Sequence, residues 1–110
     1  MAKNITYKNN ETNFSITTNN KEEFNVELLV PGKHNVYNAL SAITLCLEIN
    51  IPIKYIIDGL KKYSGVKRRF QIKHLIENKK IMIIDDYAHH PSEISATIKA
   101  ARSGWPNRRI

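Results

Sequence analysis

The spacing of apolar residues changes along this chain from alternation to a helical period. Before residue 30, apolar and polar residues alternate in three short stretches, at Ile5 and Tyr7, at Phe14 and Ile16, and at Phe24, Val26 and Leu28. Successive side chains of a strand point to opposite faces, so this alternation predicts three antiparallel strands. Asparagine tolerates positive φ, and Asn9-Asn10 and Asn19-Asn20 are therefore the predicted turns.

Two helices are predicted after Pro31-Gly32. The first carries apolar residues at helical spacing, namely Val36, Ala39, Leu40, Ile43 and Leu47. The second follows Pro52 and ends at Ser64-Gly65, with an apolar stripe of Ile53, Ile56, Ile57 and Leu60. Their short connection predicts an antiparallel helix hairpin. Cys46 falls within the apolar pattern of the first helix and is interpreted as a small buried hydrophobe.

The last third of the chain contains a run without alternation, Ile81-Met82-Ile83-Ile84. Such a run predicts a strand buried on both faces. An alternating strand from Phe70 to Ile76 precedes it, with Glu77-Asn78-Lys79 as the hairpin turn. A helix is predicted from Pro91 to just before Gly104, and its expected buried face is Ile94, Ile98 and Ala101. Arg108-Arg109-Ile110 resembles the start of another strand. Together these elements predict an α/β fold class.

The composition limits the chemical class of binding partner that the chain is expected to have. The net charge is +7, which favours an anionic partner such as a nucleotide or phosphorylated metabolite. A small module that binds RNA or DNA is an alternative, but the aromatic residues do not cluster with the cations, so no nucleic-acid partner is predicted. No apolar run has the length of a membrane span or signal core, and one cysteine excludes an internal disulfide. A cytoplasmic protein without a membrane partner is expected.

Two polar segments are candidates for nucleotide chemistry. Asn35 and Asn38 lie three apart in the first helical turn, where carboxamides could pair with adenine or Asn35 could simply cap the helix. Gly65-Val66-Lys67-Arg68-Arg69-Phe70 places three cations after a glycine. Arginine binds phosphate bidentately, although a solvated basic loop would look the same.

The residues after the Ile81–Ile84 run are the third candidate, because ligands of α/β sheets bind beyond the carboxyl ends of strands. Asp85 and Asp86 should point to opposite faces, so one is expected to contact a ligand, such as a ribose, and the other to be structural. His89 and His90 also diverge and lack metal-ligand spacing, so no metal site is predicted. They are expected to cap the following helix or to contact a substrate.

Three motifs in this order resemble the Mur ligases: Pro31 to Leu40, Gly65 to Phe70, and Asp85 to Glu93. The resemblance implies that residues 1–66 are the C-terminal part of a central ATP-binding domain. Residues 67–110 would then open a Rossmann-like C-terminal domain. The implied activity is the ATP- and Mg²⁺-dependent joining of L-alanine to UDP-N-acetylmuramate through an acyl phosphate, in peptidoglycan precursor synthesis. The related ligase that recycles a preformed tripeptide onto the same nucleotide sugar is the alternative.

The resemblance also implies residue roles. Asn35 and Asn38 would bind adenine, Asp86 the ribose, and Arg69 the terminal phosphates of ATP. Tyr87 and His89 would lie near the incoming alanine and the acyl phosphate, and with Arg69 they are the implied catalytic residues. His34 matches a motif histidine to which no role is assigned, and His74 and His90 also have none.

One departure from the family is large. A phosphate-binding loop of the form G-x-x-x-x-G-K-[ST] is absent, since the glycines are Gly32, Gly59, Gly65 and Gly104. The metal ligands and the UDP-sugar domain are expected upstream, and arginines for the alanine carboxylate downstream. The chain is therefore interpreted as an incomplete protein or an inactive remnant. By itself it is expected neither to hydrolyse ATP nor to ligate alanine.

Overall fold

A computed structural model describes residues 1–110. The three predicted strands are confirmed as β1 (Ala2–Lys8), β2 (Glu11–Thr17) and β3 (Glu23–Leu28), which form an antiparallel sheet in the order β1-β2-β3. Asn9 has positive φ in the first turn, as predicted. In the second turn the left-handed residue is Lys21 rather than Asn19 or Asn20, because backbone hydrogen bonds close the turn between Thr18 and Glu22.

Two helices follow, α1 (Lys33–Glu48) and α2 (Ile53–Lys62). The N-cap of α1 is Gly32, whose φ of 98° lies in the region that glycine adopts without strain. The prediction that Asn35 caps the helix is therefore wrong, because the helix begins earlier and Asn35 is its third residue. The chain turns sharply at Gly32, which places both asparagines inside the first helical turns.

The main core lies between this sheet and the two helices. We call residues 2–62, which contain these elements, the first unit. Its buried apolar side chains are Phe14, Ile16, Val26, Leu28, Val30, Val36, Ala39, Ile43 and Ile56. Cys46 is half-buried and packs at the edge of this cluster, consistent with a small hydrophobe. The Thr12 hydroxyl, also buried, donates to the Val30 carbonyl at 2.9 Å and so links β2 to the segment that precedes α1.

The rest of the chain forms β4 (Gln71–Ile76), a 3₁₀ turn (Glu77–Lys79), β5 (Ile81–Asp85) and α3 (Pro91–Gly104). We call residues 70–105 the second unit. β4 and β5 form an antiparallel hairpin, which confirms the predicted turn. Phe70 precedes the strand instead of starting it, because its φ of 47° is left-handed. No strand forms at residues 108–110, contrary to expectation.

The expected burial of β5 on both faces is wrong, because Ile81 and Ile83 are each 46% exposed. The expected buried face of α3 is also wrong, since Ile94 and Ile98 are exposed and Ala101 is only half-buried. The physical reason is that β5 has a single neighbouring strand and that an open groove separates it from α3. α3 instead turns Ala100 and Gly104 towards the first unit, and both are buried.

The two units meet through small residues and backbone. The Asn9 amide donates to the Gly104 carbonyl at 2.9 Å. Gly32 lies so close to α3 that a β-carbon on it would approach the Ala100 Cβ to 2.8 Å. These contacts hold the C-terminal half of α3 against the first unit. None of the three helices is both long enough and apolar enough to cross a membrane.

Candidate functional site

Asp85 and Asp86 point to different partners at the end of β5, as expected for successive residues of a strand. Asp85 faces Lys73 of β4, with 3.9 Å between its carboxylate oxygen and the Lys73 Nζ. Asp86 faces the joining loop, residues 63–69, which connects the two units and leads into Phe70. Its Oδ2 accepts from the Phe70 amide and its Oδ1 from the Ala88 amide, each at 2.8 Å. Asp86 thus ties the strand end to this joining loop.

The joining loop presents Arg69 between two residues with left-handed backbone, Arg68 (φ 58°) and Phe70 (φ 47°). The Tyr87 amide donates to the Arg68 carbonyl at 2.8 Å, which adds a second tie to the strand end. The Phe70 ring is buried and stacks on Trp105 with a centroid separation of 5.9 Å. These contacts orient a strained loop so that the Arg69 side chain lies at the boundary between the two units.

A cleft of about 560 Å³ opens at this boundary. Four residues to which the sequence assigned nucleotide contacts line it: Asn35, Asn38, Arg69 and Asp86. They come from the first turns of α1, from the joining loop and from the end of β5. The fold therefore gathers two amides, a guanidinium and a carboxylate from three separate stretches of sequence.

An apolar pocket of about 260 Å³ adjoins this cleft and shares Asn35, Asn38, Val30 and Tyr63 with it. The remaining lining is aliphatic, from Leu28, Ala39, Ala42 and Leu60. The Asn35 amide nitrogen donates to the Pro31 carbonyl at 2.8 Å, and the Asn38 amide nitrogen lies 3.4 Å from the Asn35 carboxamide oxygen. The pocket therefore combines apolar walls with two mutually oriented carboxamides, a combination suited to a planar heterocycle with a polar edge.

Tyr87 and His89 lie outside this cleft, so the structure does not bring all the implied catalytic residues into one cavity. Their rings contact edge to face at a centroid distance of 5.3 Å, and the Arg68 guanidinium lies 4.6 Å from the Tyr87 ring centroid. The His89 Nδ1 is 3.1 Å from the Tyr87 carbonyl and 3.6 Å from the Glu93 carboxylate. Tyr87 and His89 thus form a separate exposed cluster beside the cleft.

Glu93 and His34 also line the cleft, and neither had been assigned a role from the sequence. The Glu93 carboxylate accepts from the backbone amides of His89 and His90 at the start of α3, and these two hydrogen bonds lower its pKa. A carboxylate three residues after the N-cap is a recognised capping signal that could have revealed this. Burial lowers the pKa of His34, against the opposing effect of the Asp86 charge.

Tyr63 and Thr97 were missed as well, because neither belongs to a polar motif. Tyr63 follows the last residue of α2, and Thr97 lies on the cleft-facing side of α3. No group of three or more histidine, cysteine, aspartate or glutamate side chains converges anywhere in the chain. His74 is exposed on β4, away from the cleft.

The chain combines an antiparallel sheet and a helix pair with a strand hairpin and a helix across a polar cleft, which is a mixed α/β architecture. Residues 1–46 match the Mur ligase middle domain, and residues 68–110 match the Mur ligase glutamate ligase domain. The two matched segments together cover most of the chain. The chain belongs to the Mur ligase family.

Individual relatives agree with this assignment. The UDP-N-acetylmuramate–L-alanine ligase of Chlorobium phaeobacteroides is 48% identical over 110 residues, which are 100% of this chain and 23% of the relative. The crystal structure of the UDP-N-acetylmuramate-alanine ligase of Thermotoga maritima matches with a TM-score of 0.87 and 32% identity, over 96% of this chain and 25% of that chain. A murein peptide ligase from Psychrobacter arcticus matches with a TM-score of 0.60 and 30% identity, over 98% and 22% of the respective chains. The chain spans about a quarter of the length of the relatives it matches.

Proposed function

We propose that this chain is part of an ATP-dependent ligase that joins L-alanine to UDP-N-acetylmuramate through an acyl phosphate, in peptidoglycan precursor synthesis in the cytoplasm. In this proposal residues 1–66 belong to a central ATP-binding domain and residues 67–110 to a C-terminal domain. The observation that carries the proposal is the cleft in which Asn35, Asn38, Arg69 and Asp86 converge. The identity to alanine-adding relatives supports the choice of substrates.

Adenine suits the apolar pocket beside the cleft. Its flat faces would contact Val30, Leu60 and Tyr63, while the two asparagines lie at the polar edge. A carboxamide offers one acceptor and two donors, which match the N6 donor and N7 acceptor of adenine. Guanine presents a carbonyl where adenine presents an amine, so the same amide geometry would favour adenine.

Asp86 can bind a ribose without releasing the joining loop. A carboxylate has about four lone-pair sites, and the Phe70 and Ala88 amides occupy two of them. The remaining two can accept hydrogen bonds from ribose hydroxyls. In this proposal Asp86 therefore has two roles, as a nucleotide ligand and as the group that positions the loop carrying Arg69.

Arg69 is the arginine that lines the cleft, and a guanidinium there can offset charge on a transferring phosphoryl group. Tyr87 and His89 would contact the alanine and the acyl phosphate from the neighbouring exposed cluster. ATP would supply the phosphoryl group that activates the carboxylate of UDP-N-acetylmuramate. The residues of this chain do not fit a Mg²⁺ site, because no set of carboxylates converges.

Nucleotide binding by the 110-residue chain tests the adenine assignment. Calorimetric titration with a non-hydrolysable ATP analogue and with the matching GTP analogue should favour the adenine nucleotide. Asn38→Ala should weaken binding about tenfold, because a lost bidentate amide-base pair costs about 1–3 kcal/mol. Asn78→Ala, in the exposed 3₁₀ turn, is the matched control and should leave binding unchanged. Equal binding of both nucleotides together with an inert Asn38→Ala would contradict the assignment.

The ligase assignment needs the remaining parts of such an enzyme. The chain can replace the homologous 110-residue segment of the Chlorobium phaeobacteroides relative, and the chimera can be assayed for phosphate release. Release should depend on L-alanine rather than on a preformed tripeptide, and Arg69→Gln should reduce it. Tripeptide-dependent release would instead assign the chain to the recycling branch. The chain alone should release no alanine-dependent phosphate.

A further inference from the structure

We call the cleft lined by Asn35, Asn38, Arg69 and Asp86 the nucleotide cleft. A second cleft of about 520 Å³ shares His34 with it. Its first wall is Tyr7, Lys33 and His34 of the first unit. Its second wall is one side of α3, lined by Ser92, Ser95, Ala96, Lys99, Ala100 and Ser103. The close approach of Gly32 to Ala100 and the hydrogen bond from Asn9 to Gly104 hold these walls together. No carboxylate lines the cleft.

The polar stripe of α3 faces this cleft. Positions 92, 95, 99 and 103 recur at helical spacing, so their side chains share one side of the helix. These four residues are exposed, and they lie on the side of α3 that borders the first unit. Their hydroxyl and ammonium groups are therefore concentrated in a space bounded on two sides by protein.

The serine hydroxyls of this stripe have no partner within the protein. In α1 the Ser41 and Thr44 hydroxyls donate to the carbonyls one turn earlier, at 3.1 and 2.9 Å. The hydroxyls of Ser92, Ser95 and Ser103 make no such bond, nor any other side-chain hydrogen bond. Helical serines commonly return to their own backbone, so these three donors remain available to a ligand.

The two lysines of the cleft are likewise without acidic partners. The ion pairs of the chain involve Lys61, Lys73 and His89, and neither Lys33 nor Lys99 is among them. Lys33 and Lys99 line opposite walls of the cleft, and the Lys33 Nζ also lies at a cation–π distance of 5.7 Å from the centre of the Tyr37 ring. Two ammonium groups from opposite walls therefore face a cleft that contains hydroxyl donors and no competing anion.

We propose that this second cleft binds a phosphate group, either as orthophosphate or as a phosphomonoester. Lysine is a point-charge ligand for phosphate, and hydroxyl donors complete the coordination of its several acceptor oxygens. A planar carboxylate is matched best by the arginine fork, and no arginine lines this cleft. Because the walls come from both units, a bound phosphate would also favour their docked arrangement. The proposal is independent of the ligase assignment.

Titration of the isotopically labelled 110-residue chain with inorganic phosphate, followed by amide chemical shifts, tests this site. Sodium chloride at matched ionic strength is the reference. Saturable shifts are expected at Lys33, Ser95 and Lys99. Lys99→Gln should weaken phosphate binding about tenfold, and Ser95→Ala, which preserves charge, roughly fivefold. Lys62→Gln removes an equal charge at the exposed end of α2 and should change binding less than twofold.

Two further experiments identify the chemical source of the phosphate group and the cleft in which it binds. Tighter binding of glycerol 3-phosphate than of orthophosphate would identify a phosphomonoester ligand, and equal binding would identify free phosphate. Arg69→Gln, in the nucleotide cleft, should leave the shifts at Lys99 intact whether or not the chain binds nucleotide. Three results would each overturn the proposal: loss of those shifts in Arg69→Gln, shifts reproduced by chloride, or equal weakening by Lys62→Gln and Lys99→Gln.

Discussion

The first unit encloses a cluster of nine buried apolar side chains, whereas the second unit buries only Phe70, Ala100 and Gly104. In the first unit the alternating strands turn one face to α1 and α2, and their apolar side chains meet in the interior. In the second unit the apolar side chains of β5 and α3 border an open groove. The buried residues of the second unit instead contact Trp105 or the first unit.

This difference indicates where the stability of the chain resides. Burial of apolar surface is the main favourable term in folding, and it is concentrated between residues 14 and 56. The second unit depends on its docking to the first and on hydrogen bonds around the joining loop. Both clefts lie along the boundary between the units, so ligand binding and docking should be coupled there.

The largest expected effect is in the core of the first unit. Leu28 is 1% exposed, and Leu28→Ala should lower the free energy of unfolding by about 3 kcal/mol, through lost burial and the cavity that remains. Ile83→Ala in the second unit removes a side chain that is 46% exposed and should cost less than about 1 kcal/mol. Urea unfolding measures both. Equal costs would mean that the two units contribute alike to stability.

A smaller effect is expected where the units dock. Gly104→Ala places a β-carbon against the Asn9 carbonyl and should cost about 2 kcal/mol, as overpacking commonly does. It should also increase amide exchange along α3 more than in β2 and β3. Gly59→Ala is the matched control, because nothing lies within 4 Å of its added carbon in α2. That control should stabilise the chain slightly by its higher helix propensity. Unchanged exchange in Gly104→Ala would argue against docking as the support of α3.

The smallest of the three effects compares two adjacent carboxylates. Asp86→Ala leaves the Phe70 and Ala88 amides without their acceptors and should cost about 1.5 kcal/mol. Asp85→Ala removes only a partly exposed ion pair with Lys73 and should cost less than about 0.5 kcal/mol. Thermal unfolding and Trp105 fluorescence, which reports on the stack with Phe70, measure the difference. A cost for Asp85→Ala as large as that for Asp86→Ala would refute the positioning role of Asp86.

The local pattern of apolar and polar residues was sufficient to predict most of the strands and helices. Alternation identified β1 to β3, and the helical period with Pro52 and Pro91 identified α2 and α3 to within one or two residues. These elements follow from steric rules that operate over a few residues, so no distant contact is needed to predict them. The opposite directions of Asp85 and Asp86 followed from the same rules.

Burial and shared location could not be predicted in this way. The Ile81–Ile84 run would be buried in a larger sheet, but in this chain β5 has only one neighbouring strand. The spacing of apolar residues does not reveal how many neighbours a strand has. Asparagine is a residue type favoured at helix N-caps, yet Asn35 is not the cap, because the left-handed turn at Gly32 starts the helix earlier. Residue type and spacing do not show which elements far apart in the chain pack together.

The sequence by itself determined most of the secondary structure, the residue types available for nucleotide chemistry and the resemblance to the Mur ligases. Only the tertiary structure decided that Asn38, Arg69 and Asp86 line one cleft while Tyr87 and His89 lie outside it. It also decided that the serines of α3 face Lys33 across a second cleft. The reason is physical: side-chain direction along an element is a local property, whereas the meeting of two elements depends on packing between residues far apart in the chain.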